Sequence, residues 1–242
     1  MTGFSYRDGA LCADNLPVAE IAATVGTPFY CYSEGAITKQ YCSYVDAFTD
    51  QDAVICYAMK ANDNLAVLRT FAELGAGADV VSGGELQRAL AAGIPPAKII
   101  FSGVGKTEDE LALALSSNIM QINIESFAEM ELLSRVASAK GVTAEIAIRI
   151  NPNVDAKTHK NISTGKAENK FGLSIKNFKV FLKTVKTFNN VKLEALSVHI
   201  GSQILNDTPF RKTLNVMSKL IKELELNLKY VDLGGGLSLI HI

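Results

Sequence analysis

Tryptophan is absent from this chain of 242 residues, histidine occurs three times and proline six, and no apolar run approaches the ~20 residues that a membrane-spanning helix needs. Residues 1–17 also lack a basic head followed by an apolar segment, so no secretory leader is expected and the cytoplasm is the expected location. Neither sign of charge is in excess: 24 Lys and Arg stand against 25 Asp and Glu, for a formal net charge of -1 and a pI near 6.3. That balance gives no electrostatic case for nucleic acid or an anionic membrane, and the expected partners are small molecules. The four cysteines (Cys12, Cys31, Cys42, Cys56) have no C-x-x-C spacing. Neither a zinc site nor a disulfide framework is indicated, and reduced, mostly buried thiols are expected, with no metal.

What is present is a soluble, globular composition, 48% hydrophobic and 20% charged, long enough to bury one large core. A single α/β barrel and two small domains both fit that length. Seven short apolar or β-branched runs, at residues 53–58, 77–81, 98–101, 120–124, 144–150, 195–199 and 230–233, alternate with amphipathic stretches. Thr107 with Glu110, and Ser126 with Glu129, have the spacing of capping boxes. Thr208 and Pro209 read as an N-cap and first helical position, with Leu214, Met217, Ile221 and Leu224 as the apolar stripe behind them. Gly75, Gly93 and Gly141 each sit where a helix should stop.

Strands about 20 to 25 residues apart, each followed by a helix, argue for parallel βαβ units in a doubly wound sheet or a (β/α)8 barrel. The barrel is favoured because seven similar units run on without a long interruption; one gap is larger, "NPNVDAKTHKNISTGKAENKFG", placed after the fifth strand. That position is the C-terminal face, where barrel enzymes keep their active-site loops. Residues 1–27 precede the repeating pattern and are expected to lie outside the barrel.

Several residues at the predicted strand ends carry chemistry. Lys60 closes the apolar run "ICYAMK". It either snorkels to water as a strand-capping lysine or, partly desolvated, offers a neutral amine that attacks a carbonyl to form a Schiff base. His199, in "VHIGSQ", is either a core histidine or a ligand contact at a strand end that Gly201 and Ser202 keep open. Gly234, Gly235 and Gly236 form either a flexible turn or a nest of N–H groups for phosphate oxygens, as barrel loops after strands seven and eight often do. Asp79 and Arg149 are charges within apolar strands, costly there unless paired, so each is half of an ion pair or a ligand contact. Lys60, the His-x-Gly-Ser stretch and the triple glycine are weak signals singly, but together, each at a different predicted strand end, they form a strong combination.

The stretches "YAMKAN", "GADVVSGGEL", "FSGVGKT", "RINPNVDAKTHKNISTGKAENKFG", "LSVHIGSQI" and "VDLGGGL" together resemble the diaminopimelate decarboxylase family, within the alanine-racemase-like barrel enzymes that use pyridoxal phosphate. The resemblance runs from about Phe29 to Leu237, and the "DAKTH...ISTG...KFG" loop is its most specific part. It implies pyridoxal 5'-phosphate as cofactor, with Lys60 as the lysine that holds it and His199 as the histidine against its ring. It also implies Ser202 and Gly234 to Gly236 as phosphate ligands, and Asp79 and Arg149 close to the cofactor. The reaction it implies is decarboxylation of meso-2,6-diaminopimelate to L-lysine, by a homodimer. Related decarboxylases of ornithine, arginine or carboxylated polyamines, and a non-catalytic barrel that binds the cofactor, are the alternative readings.

The chain departs from the family pattern at its end. No eighth strand with a Glu-Pro-Gly-Arg motif follows the glycines, nor a β-domain with a Cys-Glu-Ser-type motif and substrate-binding tyrosine. About seven of eight barrel strands are therefore expected, over residues 28–236, without the C-terminal β-domain to which residues 1–27 would belong. Residues 237–242, "LSLIHI", match the in-frame reading of a transposase adapter and are expected to be a non-native tail on a truncated reading frame. Asn161 stands where the family more often has an aromatic residue. A fragment of this kind is expected to be inactive alone.

Overall fold

The computed structural model describes residues 3–155 and 171–236. Residue Asn161, most of the long loop after the fifth barrel strand and the tail 237–242 lie outside the described residues. A three-stranded antiparallel sheet comes first, from β1 (Phe4–Arg7), β2 (Ala10–Ala13) and β3 (Leu16–Pro17), followed by α1 (Val18–Val25) and α2 (Glu34–Ala47). The alternation read from sequence then begins: β4 (Cys56–Ala58), α3 (Leu65–Glu73), β5 (Gly77–Val80), α4 (Gly83–Ala91), β6 (Ile99–Phe101), α5 (Glu108–Ser116), β7 (Gln121–Ile124), α6 (Phe127–Lys140) and β8 (Ala144–Asn151). After a two-residue strand β9 (Leu173–Ser174) come α7 (Ile175–Val185), β10 (Val191–Val198), α8 (Thr208–Glu223) and β11 (Tyr230–Asp232).

The seven predicted strands are β4, β5, β6, β7, β8, β10 and β11, hydrogen-bonded in parallel in chain order, with β9 added beside β8. Among the described residues β4 and β11 end this order, so the sheet is a curled, incomplete barrel. Strand β10 begins four residues earlier than its apolar run suggested, because Glu194 breaks the pattern at a register shift between Leu193 and Ala195. The sheet of β1 to β3 is separate from the barrel sheet. No described helix is long and apolar enough to cross a membrane.

Side-chain alternation splits each barrel strand between two environments. Ala78, Val80, Ile99, Phe101, Ile122, Ile124, Ile146, Ile148, Leu196 and Val198 point to the helical layer and are almost fully buried there, with Leu68, Leu86, Leu111, Met130, Leu133, Phe178 and Phe181. Their intervening neighbours line the inside of the curl, where the charged and amide residues are found.

Local signals mostly hold. Thr107 and Glu110 form the reciprocal cap of α5, and Gly75, Gly93 and Gly141 turn with φ of 83°, 94° and 66°. Three expectations need correcting. Ser126 caps α6, but the Glu129 carboxylate bonds the N–H of Glu125 instead of the N-cap's own, since a buried lysine recruits it. Asp207, one residue earlier than expected, is the N-cap of α8; Met217, Ile221 and Leu224 of the expected stripe meet the core, joined by Pro209, Thr213 and Leu220, while Leu214 is 44% exposed. Of the four free cysteines only Cys12 is buried; Cys31, Cys42 and Cys56 are intermediate.

Candidate cofactor site at the carboxyl rim

Lys60 sits one turn past β4, in the 3₁₀ segment Met59–Ala61. Met59 is fully buried and anchors the turn, while Lys60 is exposed. The ring of Tyr57 stacks on Phe71 at 4.0 Å, and its hydroxyl donates to the carbonyl of Asn62 at 3.2 Å. Asn62 in turn accepts from the N–H of Asn64, the N-cap of α3. The apolar strand thus ends on a clamped turn that presents one amine at the carboxyl edge of the sheet.

Inside the curl, the strand register lines up Ala58 with Asp79, Asp79 with Ile100, Asn123 with Ala147, and Ser197 with both Arg149 and Asp232. A hydrogen-bonded layer results. The Ser102 hydroxyl donates to Asp79 at 2.5 Å, and the Asn123 amide donates to Ser102 at 3.0 Å, Ser197 at 3.3 Å and Asp232 at 3.2 Å. Gln121 donates to the Asn123 side-chain oxygen at 2.6 Å, which fixes the orientation of that amide. Burial pushes the Asp79 carboxyl up to about 6, against the Ser102 hydrogen bond, with Asp232 adding repulsion and Lys60 opposing it. Burial and the same two carboxylates push the Cys56 thiol up to about 12, so it is no nucleophile.

Across the rim, Arg149 on β8 bonds Glu125 at 2.8 Å and lies over the ring of Phe171 at 5.2 Å. Of the two readings for Arg149, the ion pair is real, and its positive charge also reaches His199. Burial, then Arg149, then Lys60 hold the His199 imidazole down at about 4, so the ring is neutral around pH 7. Its Nδ1 accepts from the N–H of Gly235 at 3.3 Å, which leaves the proton on Nε2.

The triple glycine wraps tightly around this strand end. Gly234 and Gly236 have φ of 66° and 99°. A Cβ at Gly234 would run into the carbonyl of Val198 and one at Gly236 into the carbonyl of Gly201, so only glycine fits either position. The N–H of Gly234 bonds Asp232 at 2.8 Å, and the carbonyl of Gly236 accepts from Ile204 at 2.8 Å. Two of the three glycine N–H groups are therefore held within the protein, one of them weakly, and a phosphate would compete for them. Ser202 is half-buried on the facing turn.

These elements bring Lys60, Asp79, Arg149, His199 and the glycine turn to one rim, with Ser202 on the turn facing the glycines. An amine, a neutral imidazole, a hydroxyl and a close-packed glycine turn suit a phosphorylated aromatic aldehyde, so the donor set fits pyridoxal phosphate. Sequence reasoning missed Ser102, Asn123, Glu125, Ser197 and Asp232. The criterion that found Asp79 and Arg149, a polar group within an apolar strand or at its carboxyl end, applies to each of them equally.

The fold and rim together define a class: the model of the pyridoxal-dependent decarboxylase, pyridoxal binding domain, matches residues 34–241, and the chain belongs to that family. Its relatives include the diaminopimelate decarboxylases of Pseudomonas aeruginosa and Aquifex aeolicus, each 44% identical over 98% and 97% of this chain. Among solved structures, diaminopimelate decarboxylase from Helicobacter pylori complexed with L-lysine matches with TM-score 0.88 and 42% identity, covering 92% of this chain and 57% of that one. The M. jannaschii enzyme in co-complex with L-lysine matches with TM-score 0.89 and 38% identity, covering 98% of this chain and 58% of that one. The chain spans 58% and 56% of the length of the two bacterial relatives.

Proposed function

We propose that this chain is the cofactor-holding part of a diaminopimelate decarboxylase, converting meso-2,6-diaminopimelate to L-lysine and carbon dioxide. The convergence of Lys60, Asp79, Arg149 and His199 on one rim, each within electrostatic reach of another, carries the reading. When bound, pyridoxal phosphate supplies an electron-withdrawing ring that takes up the electron pair left behind as carbon dioxide departs. Lys60 would hold the cofactor's aldehyde and release it to the substrate amine. His199, neutral and fixed by Gly235, offers an uncharged aromatic surface to a planar ring. Ser202 and Gly234 to Gly236 would take the phosphate, at the cost of the internal contacts above. Asp79 and Arg149 set the charge around the site. A homodimer in the cytoplasm belongs to the same reading, as do the boundaries at residues 27 and 236.

The test has two parts. Purified chain titrated with pyridoxal phosphate should change the cofactor's absorbance, and Lys60→Ala should abolish the change; the same change in the variant would refute Lys60. Release of carbon dioxide from diaminopimelate is expected once the remaining portion is supplied, for instance by fusion to the C-terminal region of the Helicobacter pylori relative. Residues 1–242 alone should release none. Activity on ornithine or arginine in preference to diaminopimelate would favour the related decarboxylases instead.

A further inference from the structure

Behind the rim lies a second charged pair that touches none of the groups assigned to the cofactor. The side chains of Lys106 and Glu129 are 1% and 8% exposed. The ammonium of Lys106 donates to Glu129 at 2.5 Å, to the Gly103 carbonyl at 2.7 Å and to the Asn123 carbonyl at 2.7 Å, so all three of its protons are used. The Phe101 ring lies 5.5 Å away. The other oxygen of Glu129 accepts from the N–H of Glu125 at 2.7 Å.

Burying such a pair is expensive, and apolar replacements of similar shape are often neutral or stabilising. Stability alone is therefore a poor reason for it. What the pair adds over apolar packing is direction, because its bonds tie the loop after β6, the carboxyl end of β7 and the start of α6 to one another. Of the three residues whose main chain is held, Gly103, Asn123 and Glu125, the last two carry side chains that reach the rim. Asn123 joins Ser102, Ser197 and Asp232, and Glu125 holds Arg149.

We propose that Lys106, acting through Glu129, is a positioning residue for the cofactor rim. It fixes the backbone of Asn123 and Glu125 so that Ser102 with Asp79 on one side, and Arg149 on the other, stand in place before any ligand binds. The functional meaning rests on the cofactor reading above, but the geometry can be read without cofactor.

His199 serves as the reporter. Burial is the main cause of its lowered titration, and the charges of Arg149 and then Lys60 add to it, so withdrawing the Arg149 guanidinium should raise the midpoint. In K106M/E129Q both charges go together, and no lone one stays buried. An NMR titration of the ligand-free chain, with the His199 signal assigned by its loss in His199→Gln, should show the midpoint moving up toward the ordinary histidine range. Pyridoxal phosphate affinity should fall several-fold, with the circular dichroism spectrum retained. A lower melting temperature with unchanged His199 titration and unchanged affinity would overturn the proposal. Should the double variant not fold, Glu129→Gln alone should give the same upward movement, smaller in size, and an unmoved midpoint there overturns it equally. If wild-type chain shows no Lys60-dependent absorbance change, the cofactor reading fails, while the His199 titration still decides the role of Lys106.

Discussion

The two ends of the parallel sheet use the same residue types to opposite effect. At the amino end, Lys229 bonds Glu145 at 2.9 Å and 3.0 Å with both side chains nearly half exposed, and Lys192 pairs with Glu194. At the carboxyl end, Arg149 with Glu125 and Lys106 with Glu129 are withdrawn from water. In the first set the lysines are 46% and 61% exposed, so water screens their ammonium groups; Glu145 first, with Glu194 and Tyr230 adding to it, holds the Lys229 ammonium above its ordinary range. In the second set the low local dielectric lets charges act past their partners, which is why Arg149 and Lys60 are felt at His199, and Asp232 at Asp79. A functional site needs this second arrangement, in which one group's protonation depends on several others.

The largest expected effect is at Lys60, where alanine should remove the cofactor-dependent absorbance change entirely while leaving the urea unfolding midpoint near wild type, since the side chain is exposed. Next come the two displaced titrations. Asp79 has a folded value of about 6 against an ordinary 3.8, so its contribution to stability is present at low pH and is lost as pH rises through about 6. His199 has a folded value of about 4 against 6.5, so its contribution is present above 6.5 and is lost as pH falls through about 4. Each is on the order of 3 kcal/mol at full extent, and the two slopes oppose over nearly the same window. Asp79→Asn should therefore make stability climb more steeply with pH across that window, and His199→Gln should make it decline, in urea titrations run at successive pH values. Parallel slopes in the two variants would mean that neither group is displaced as described.

A smaller loss is expected for Asn123→Ala, which leaves Ser197 and Asp232 short of a donor inside the curl; about 1–3 kcal/mol should disappear from the unfolding free energy. The smallest effect belongs to the floor. Lys229→Ala should leave both the unfolding midpoint and cofactor binding unchanged, and a marked loss of either would erase the contrast between the two ends.

Much of this was open to reading from residues alone. The seven apolar runs became seven strands because parallel strands, covered by helices on one face, need continuous apolar character there. Lys60, His199 and the triple glycine stood out because each interrupts such a run at its carboxyl end. Other features were not legible. Strands β1 to β3 are two to four residues long and largely exposed, so no hydrophobic alternation marks them. On α8 only Leu214 departs from the expected stripe, because Thr213, a polar residue, faces inward in its place and satisfies its hydroxyl on the carbonyl of Pro209. Glu129 fits a capping box by spacing, yet serves Lys106 and Glu125, a choice made by residues 23 and 4 positions away.

What the sequence determined by itself is therefore the order of elements and the identity of the groups at their ends, since periodicity, caps and glycine stops are local properties of the chain. Only the tertiary structure decided which of those groups share a rim, that Asn123 is the hub joining Asp232 to Ser102, and that Arg149 is spoken for by Glu125. Those pairings depend on strand register and on the inward face of a curled sheet. Residues as far apart as Asn123 and Asp232 meet there, and no local pattern encodes that meeting.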